Sequence, residues 1–566
     1  MSLAYWLNTA WMLASAPSAW AFHRATSRVA QTQSDLLLGM LHSARDTEFG
    51  RQHRFAEIRN YADFVARVPL ATYESYAGAV QRIAAGQANI LTADPVTLLE
   101  PTSGSTGGEK LIPYTAGLKH QFQRGIAPWI ANLLRHRRGI RDGRHYWSIS
   151  PAMGPRRTSP GGIPIGFEDD TAYLGFFERI AASHVLAAPP SLARSADIAA
   201  FRRATLLHLL LADDLTLISV WNPTFLTALF RPNTNANPER KRGDNRTASA
   251  TGIPSLAPGV SEPLGDTIDG LLADIHAVDP KRADVVASIW RAGGTLSERL
   301  RQVWPKLQLV SCWTDAAAGA FLPELRALLP EVEMQPKGLI ATEAFVSLPL
   351  VDQPGAALAI RSHFFEFEDA DGRCVQAHEV EPGGRYGVVV TTAGGLYRYQ
   401  LRDEVEIVGR LHQCPLLRFL GKADLVSDLV GEKLAEPFVR SALECVWREI
   451  GATPKFCMLT PSADSPPRYC LFVEGMPDAP GIGTKVQAAL CANPHYRYAC
   501  DLSQLAPVEV CVIVQDGWSL YEQQCMARGQ KLGNIKPSAL DTRLDWMSVF
   551  RPLLAKVAAS KGSGVA

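Results

Sequence analysis

The sequence predicts an α/β protein in two unequal parts. A large N-terminal mixed-sheet domain is expected over residues 1–421 and a smaller C-terminal α+β domain over 422–566. Three observations predict this. At 566 residues the chain exceeds what one hydrophobic core supports, so at least two domains are expected. Between 305 and 420, apolar runs of strand length alternate with helical patterns, as in LQLVSCW followed by AGAFLPELRALL. After Gly421 the pattern becomes helix, strand, strand, helix, strand and final helices.

The elements follow in chain order. MSLAYWLNTAWMLASAPSAWAFHRA is apolar and contains Ala-Trp-Ala, which imitates a signal-peptidase site. It has no basic residue before His23, so the charged start of a signal peptide is missing, and Trp6, Trp11 and Trp20 suit a helix packed on a core. A cytoplasmic location without a membrane partner is expected. No later run approaches the ~20 apolar residues of a membrane span. Residues 30–70 read as helices, 88–92 as a strand, and 96–100 as a strand entering PTSGSTGGEK (101–110). LIPYTAGLKHQFQ then turns from strand to helix, and 201–230 read as helix, strand, helix. The stretch 231–260 is rich in Asn, Pro, Gly, Ser and charge and is read as a disordered insertion.

Composition excludes little but gives useful limits. With 57 basic and 56 acidic residues the formal charge is +1, so nothing in the overall charge suggests a nucleic-acid partner. Arg135-His136-Arg137-Arg138, with Arg141 and Arg144, reads as a solvated helix end or an anion-binding patch. All ten cysteines lie at or beyond Cys312, without a CxxC pair or zinc-ligand spacing, which implies a reduced compartment and no structural metal. A monomer is the expectation for oligomeric state.

The chemistry concentrates in five short stretches. In PTSGSTGGEK no Gly-Lys-Ser/Thr follows the glycines, and Ser105 lacks a Gly two residues before it, so the Walker and hydrolase-elbow patterns both fail. Its glycines can still aim N–H groups at an anion, with hydroxyls from Ser103, Ser105 and Thr106 and a charge from Lys110. The alternative is a plain surface loop. In GLIATEA, Glu343 sits in an apolar strand-to-helix segment, where it either meets a metal or partner or caps a helix. In LYRYQLRDEV, Asp403 opens a strand and could accept both ribose hydroxyls, or simply occupy a turn. Lys422-Ala423-Asp424 marks the change in composition, and GQKLGNIKP (529–537) is a late loop carrying Lys531 and Lys536.

In this order, TSGSTGG-x-K, A-T-E, Y-R-Y-x3-D, a basic hinge and G-N-I-K-P resemble the adenylate-forming superfamily. Within it the chain resembles the bacterial branch of the auxin-responsive Gretchen Hagen family of acyl-acid amido synthetases. Thr47-Glu48-Phe49-Gly50, Val68-Pro69-Leu70-Ala71-Thr72-Tyr73-Glu74 and Cys312-Trp313-Thr314-Asp315 extend the resemblance over nearly the whole chain.

The resemblance implies ATP and Mg²⁺ as cofactors, and a carboxylic acid and an amine, such as an amino acid, as partners. Ser103, Gly104, Ser105, Thr106, Gly107 and Lys110 would hold the phosphates, Thr342 the α-phosphate, Glu343 the Mg²⁺ and Asp403 the ribose. Lys536 would meet the charge that develops in adenylation, and Lys422 would be the pivot of the small domain. Trp313 and Phe345 are candidates for the acyl pocket. The sequence departs from the plant pattern where Arg402 replaces the Gly before Asp403, and where Asn534-Ile535 precede Lys536. Lys536 rather than Lys531 is assigned because Pro537 follows it. An acyl-CoA ligase with the same first step and a non-catalytic nucleotide-binding relative are the alternative readings.

Overall fold

The computed structural model describes residues 2–103, 109–148, 157–167, 184–194, 198–230, 265–315, 318–319, 322–422, 425–427, 429–430, 432–462, 467–476, 481–501, 505–530, 532 and 535–555. The 231–260 stretch, residues 104–107 of the glycine loop and Lys531 lie outside them.

Helix α1 (Leu3–Ala25) begins where the Ser2 side chain accepts a hydrogen bond from the Tyr5 N–H, and it buries Trp11 and Phe22. Strands β1 (Leu98–Ser103) and β2 (Glu109–Tyr114) form an antiparallel hairpin with Thr102 opposite Lys110. The Thr115 side chain caps helix α2 (Ala116–His136) by accepting from the Leu118 N–H at 3.1 Å. Residues 88–92, expected as a strand, are not one. Asn89 takes a left-handed backbone conformation (φ 58°), and the Asn89 and Ile90 carbonyls accept from the Glu48 and Phe49 N–H groups. Those bonds replace a ladder, so the apolar pair Ile90–Leu91 is buried without forming a strand.

Four parallel strands lie side by side in chain order: β3 (Arg144–Trp147), β4 (Leu215–Ser219), β5 (Leu309–Cys312) and β6 (Glu333–Pro336). Strands β4 and β5 are buried along their whole length, as expected of a parallel sheet covered on both faces. Ligands bind such sheets at the carboxyl ends of the strands. Here those ends present Trp147, Trp221, Trp313 and Lys337.

A seven-stranded antiparallel sheet contains β7 (Tyr399–Leu411) beside β8 (Cys414–Lys422). The chain reaches it through 338–346, where the expected helix after Glu343 does not form. The Ala341 N–H donates to the Ala344 carbonyl at 2.9 Å, Ile340 bridges to Phe345, and a strand, Ser347–Pro349, follows. Gly338 permits this fold-back, since a Cβ there would lie 1.9 Å from the Ser347 carbonyl oxygen. The helix-cap explanation of Glu343 is thereby removed.

Beyond Lys422 a three-stranded sheet (Phe456–Ser462, Arg468–Glu474, Glu509–Ile513) packs helices on both faces. Its strands alternate as a two-sided sheet must: Leu459, Leu471 and Val473 enter one core, and Met458, Cys470 and Phe472 the other.

Candidate active site

Strands β1 and β2 carry the described residues on either side of the glycine loop. Ser103 ends β1, and Lys110 lies near the start of β2. The Lys110 ammonium sits 5.6 Å above the Tyr73 ring and 4.0 Å from Glu74 Oε1. Tyr73 is itself fixed, because its hydroxyl accepts from the Leu111 N–H at 2.8 Å. Glu74 is largely exposed, so the ion pair contributes little, and the aromatic face does more to direct the lysine.

Thr342 and Glu343 are presented by the tight turn. The Tyr114 hydroxyl donates to the Thr342 carbonyl at 2.5 Å, which ties this turn to the end of β2. Glu343 is 9% exposed, and its Oε1 accepts from the Tyr399 hydroxyl at 3.3 Å. Burial pushes its carboxyl above the usual glutamate range, with Lys422 opposing the rise and Asp403 adding to it.

Asp403 and Lys422 face each other across β7 and β8, and the Lys422 ammonium lies 3.2 Å from Asp403 Oδ1. Asp403 is 3% exposed, whereas the lysine side chain is about half open to solvent. Arg402 adopts φ 60°, the left-handed region a glycine would enter without cost. The backbone thus takes a Gly-like shape at the position where the sequence departs from the plant pattern. Arg398, also left-handed (φ 47°), anchors the entry to β7: its guanidinium pairs with Glu366 at 3.0 Å and donates to the Val68 carbonyl at 2.9 Å.

Lys536 enters this region from the small C-terminal unit. Its ammonium lies 4.1 Å above the Trp313 ring and 5.7 Å from the Phe419 ring. Asn222 Nδ2 donates to the Ile535 carbonyl at 3.0 Å, and Arg202 pairs with Glu522 at 3.0 Å, so the two units are held together beside the lysine. Desolvation by the surrounding protein lowers the Lys536 ammonium to about 8, with Asp403 opposing the fall and Lys422 adding to it. The residue keeps solvent access, so water screens part of that penalty.

The structure thus brings Thr342, Glu343, Asp403, Lys422 and Lys536 together from four separate segments, with Lys110 on the adjoining hairpin. Trp313 borders the cleft and packs on Trp221 with ring centroids 5.7 Å apart. Phe345 does not: it is 2% exposed and fills a core slot against Phe122 and Gly125, where a Cβ would lie 2.2 Å from its ring. Sequence reasoning gave no role to Tyr399, Tyr114, Tyr73 or Arg398, although each holds a site residue or its loop. The available signal was the Tyr-Arg-Tyr run, which puts a charge inside an otherwise buried strand entry.

Fold and cleft together define a two-part α/β chain in which a C-terminal lysine reaches a site built on the large domain. The chain belongs to the GH3 family. Models of its N-terminal, central and C-terminal domains match residues 19–334, 356–422 and 439–542. The chain is 24% identical to the probable indole-3-acetic acid-amido synthetase GH3.7 of Oryza sativa subsp. japonica, covering 94% of this chain and 88% of that one. It is 21% identical to the indole-3-acetic acid-amido synthetase GH3.17 of Arabidopsis thaliana, covering 90% and 91%. In three dimensions it superposes on the AtGH3.15 acyl acid amido synthetase in complex with 2,4-DB, with a TM-score of 0.78, 18% identity and 96% coverage of both chains.

Proposed function

We propose that this chain is an ATP-dependent acyl-acid amido synthetase that adenylates a carboxylic acid and passes the acyl group to an amino acid. The observation that carries this reading is the meeting of Lys536 with Asp403 and Lys422 in one cleft, on a chain of this family.

The acid's carboxylate oxygen attacks the α-phosphorus of ATP, a P–O bond forms, and pyrophosphate leaves. The amine nitrogen then attacks the acyl carbon and loses a proton, and the bond to AMP breaks. Neither step needs a covalent nucleophile from the protein, so alignment and charge stabilisation are the protein's contribution. In our assignment Ser103, Gly104, Ser105, Thr106, Gly107 and Lys110 hold phosphate oxygens, Thr342 contacts the α-phosphate, and Asp403 binds the ribose hydroxyls. Lys536 stabilises the charge that grows on the reacting phosphate. Residues 1–421 and 422–566 act as two bodies, and Lys422 is the hinge about which Lys536 withdraws before the amine enters.

Glu343 is the proposed contact for Mg²⁺. It is a buried carboxylate with one hydroxyl donor at Oε1, a donor set that suits a hard cation arriving with phosphate oxygens. Among the described residues no cluster of three or more His, Cys, Asp or Glu could hold a metal without substrate. When bound, Mg²⁺ neutralises charge on the phosphates. Trp313 is proposed to line the acyl subsite. The described cysteines are all free thiols, which suits a reducing compartment, and we place the enzyme in the cytoplasm as a monomer.

The test is ATP–pyrophosphate exchange across a panel of carboxylic acids, then mass spectrometry of products formed with mixed amino acids or with coenzyme A. Acid-dependent exchange with amide products supports the assignment. Thioester products would convert it to an acyl-CoA ligase, and absence of exchange with every acid would reject adenylation.

A further inference from the structure

The exposed face of α1 carries a continuous apolar stripe. Leu3, Trp6, Leu13 and Trp20 are 67%, 57%, 61% and 61% exposed, and Ala10, Ala14, Ala16 and Pro17 between them are exposed as well. The opposite face is already committed to the core through Trp11 and Phe22. A helix that is apolar on every side is normally covered on every side. No acidic residue occurs before Asp35, so the stripe carries no negative charge.

Both ends of the stripe are basic. At its N-terminal end, Ser2 and Asn8 bond to the 141–143 backbone, and the Arg141 guanidinium lies over the Tyr5 ring at 5.6 Å. This places the exposed Arg135, His136 and Arg138 beside that end, with Asp142 as an exposed acid among them. At the C-terminal end the Arg24 guanidinium stacks on Trp20 at 4.6 Å, and Arg28 is exposed beyond it.

We propose that α1 seats this enzyme on the surface of an anionic lipid bilayer, lying flat with Trp6, Leu13 and Trp20 in the headgroup region. A 23-residue helix presents about 34 Å of such a surface. Tryptophans suit the interface because the ring is apolar and its N–H is not. Flanking arginines add attraction to negative headgroups. A second copy is disfavoured by the same charges, because pairing two stripes in either direction sets a basic end against a basic end. Among the described residues no helix is long and apolar enough to cross the membrane, so the contact is peripheral. This departs from the sequence expectation of no membrane partner.

The test is flotation of the full-length protein with phosphatidylcholine vesicles with or without about 30% phosphatidylglycerol. Wild type should float with the anionic vesicles only. Trp6→Gln, Leu13→Gln and Trp20→Gln combined should reduce the bound fraction by about tenfold. Arg135→Gln with Arg138→Gln should lower it at low salt and flatten its decline as salt rises. Pyrophosphate exchange should stay at the wild-type rate in both variants. Absence of flotation by wild type, or equal flotation by the triple variant, overturns the proposal. So does a concentration-dependent dimer that the triple variant abolishes, since the stripe would then belong to a second copy. If the triple variant fails to fold, quenching of wild-type tryptophan fluorescence by brominated phosphatidylglycerol vesicles decides the matter, and an unquenched spectrum rejects it.

Discussion

Lys422 and Asp403 stand opposite each other in adjacent antiparallel strands, ammonium to carboxylate at 3.2 Å. The proposed hinge lysine therefore neutralises the proposed ribose carboxylate, and Lys536 lies close enough to feel both charges. A buried carboxylate without such a partner would carry an unfavourable desolvation cost.

Removing the carboxylate is the most direct test of that arrangement. Asp403→Asn is expected to weaken ATP binding by about tenfold or more, the effect of losing a charge-assisted bond to a hydroxyl pair. Calorimetric titration with ATP checks it. An unchanged dissociation constant would remove Asp403 from the nucleotide site.

Lys536→Ala is expected to slow acid-dependent pyrophosphate exchange by about 100- to 1000-fold, as when one charge stabiliser is lost. Transfer from a synthetic acyl-adenylate to the amine should change much less. Lys531→Ala serves as the comparison, and a larger loss there would reverse the assignment of the late lysine.

The depressed ammonium of Lys536 predicts a pH dependence. In the free enzyme the charged form disappears as pH rises through about 8, so kcat/KM for ATP should fall there. Bound phosphates stabilise the ammonium, so the corresponding fall in kcat should lie at higher pH. The stability effect has the opposite sense. Between about 8 and the unfolded lysine value the unfolded chain holds more protons, so this group makes the fold more stable as pH rises. A Lys536→Met variant should lose both limbs, and an unaltered profile would exclude this lysine as their source.

Arg402 supplies a backbone prediction independent of catalysis. At φ 60°, Arg402→Gly should change stability by less than about 1 kcal/mol. Arg402→Val should cost about 1–2 kcal/mol, because a β-branched side chain resists the left-handed region. Urea unfolding of the two variants measures the difference. A Val variant as stable as the Gly variant would contradict the conformation.

Arg398 and Glu366 are 5% and 0% exposed and bonded to each other. Arg398→Met should cost about 3–5 kcal/mol by leaving the buried carboxylate with no cation and only the Tyr61 hydroxyl, and adding Glu366→Leu should restore much of that loss. Urea midpoints of the single and double variants give the coupling directly.

The sequence by itself determined the N-terminal helices, the strand runs at β4, β5, β7 and β8, and the order of Lys110, Glu343, Asp403 and Lys536. Each depends on patterns within one window: apolar periodicity, a glycine-hydroxyl run, or a charge in an apolar stretch. Where local pattern and long-range bonding competed, the sequence misled. The apolar run at 88–92 became a bend because its carbonyls bond to 48–49, and the segment after Glu343 folded back on Ser347 instead of entering a helix. Only the tertiary structure decided that Arg402 takes a glycine-like conformation and that Phe345 belongs to the core. It also decided that Trp6 and Trp20, which look like core residues in the chain, face outward. Such outcomes depend on which surface of an element the rest of the molecule covers, and no window of sequence contains that information.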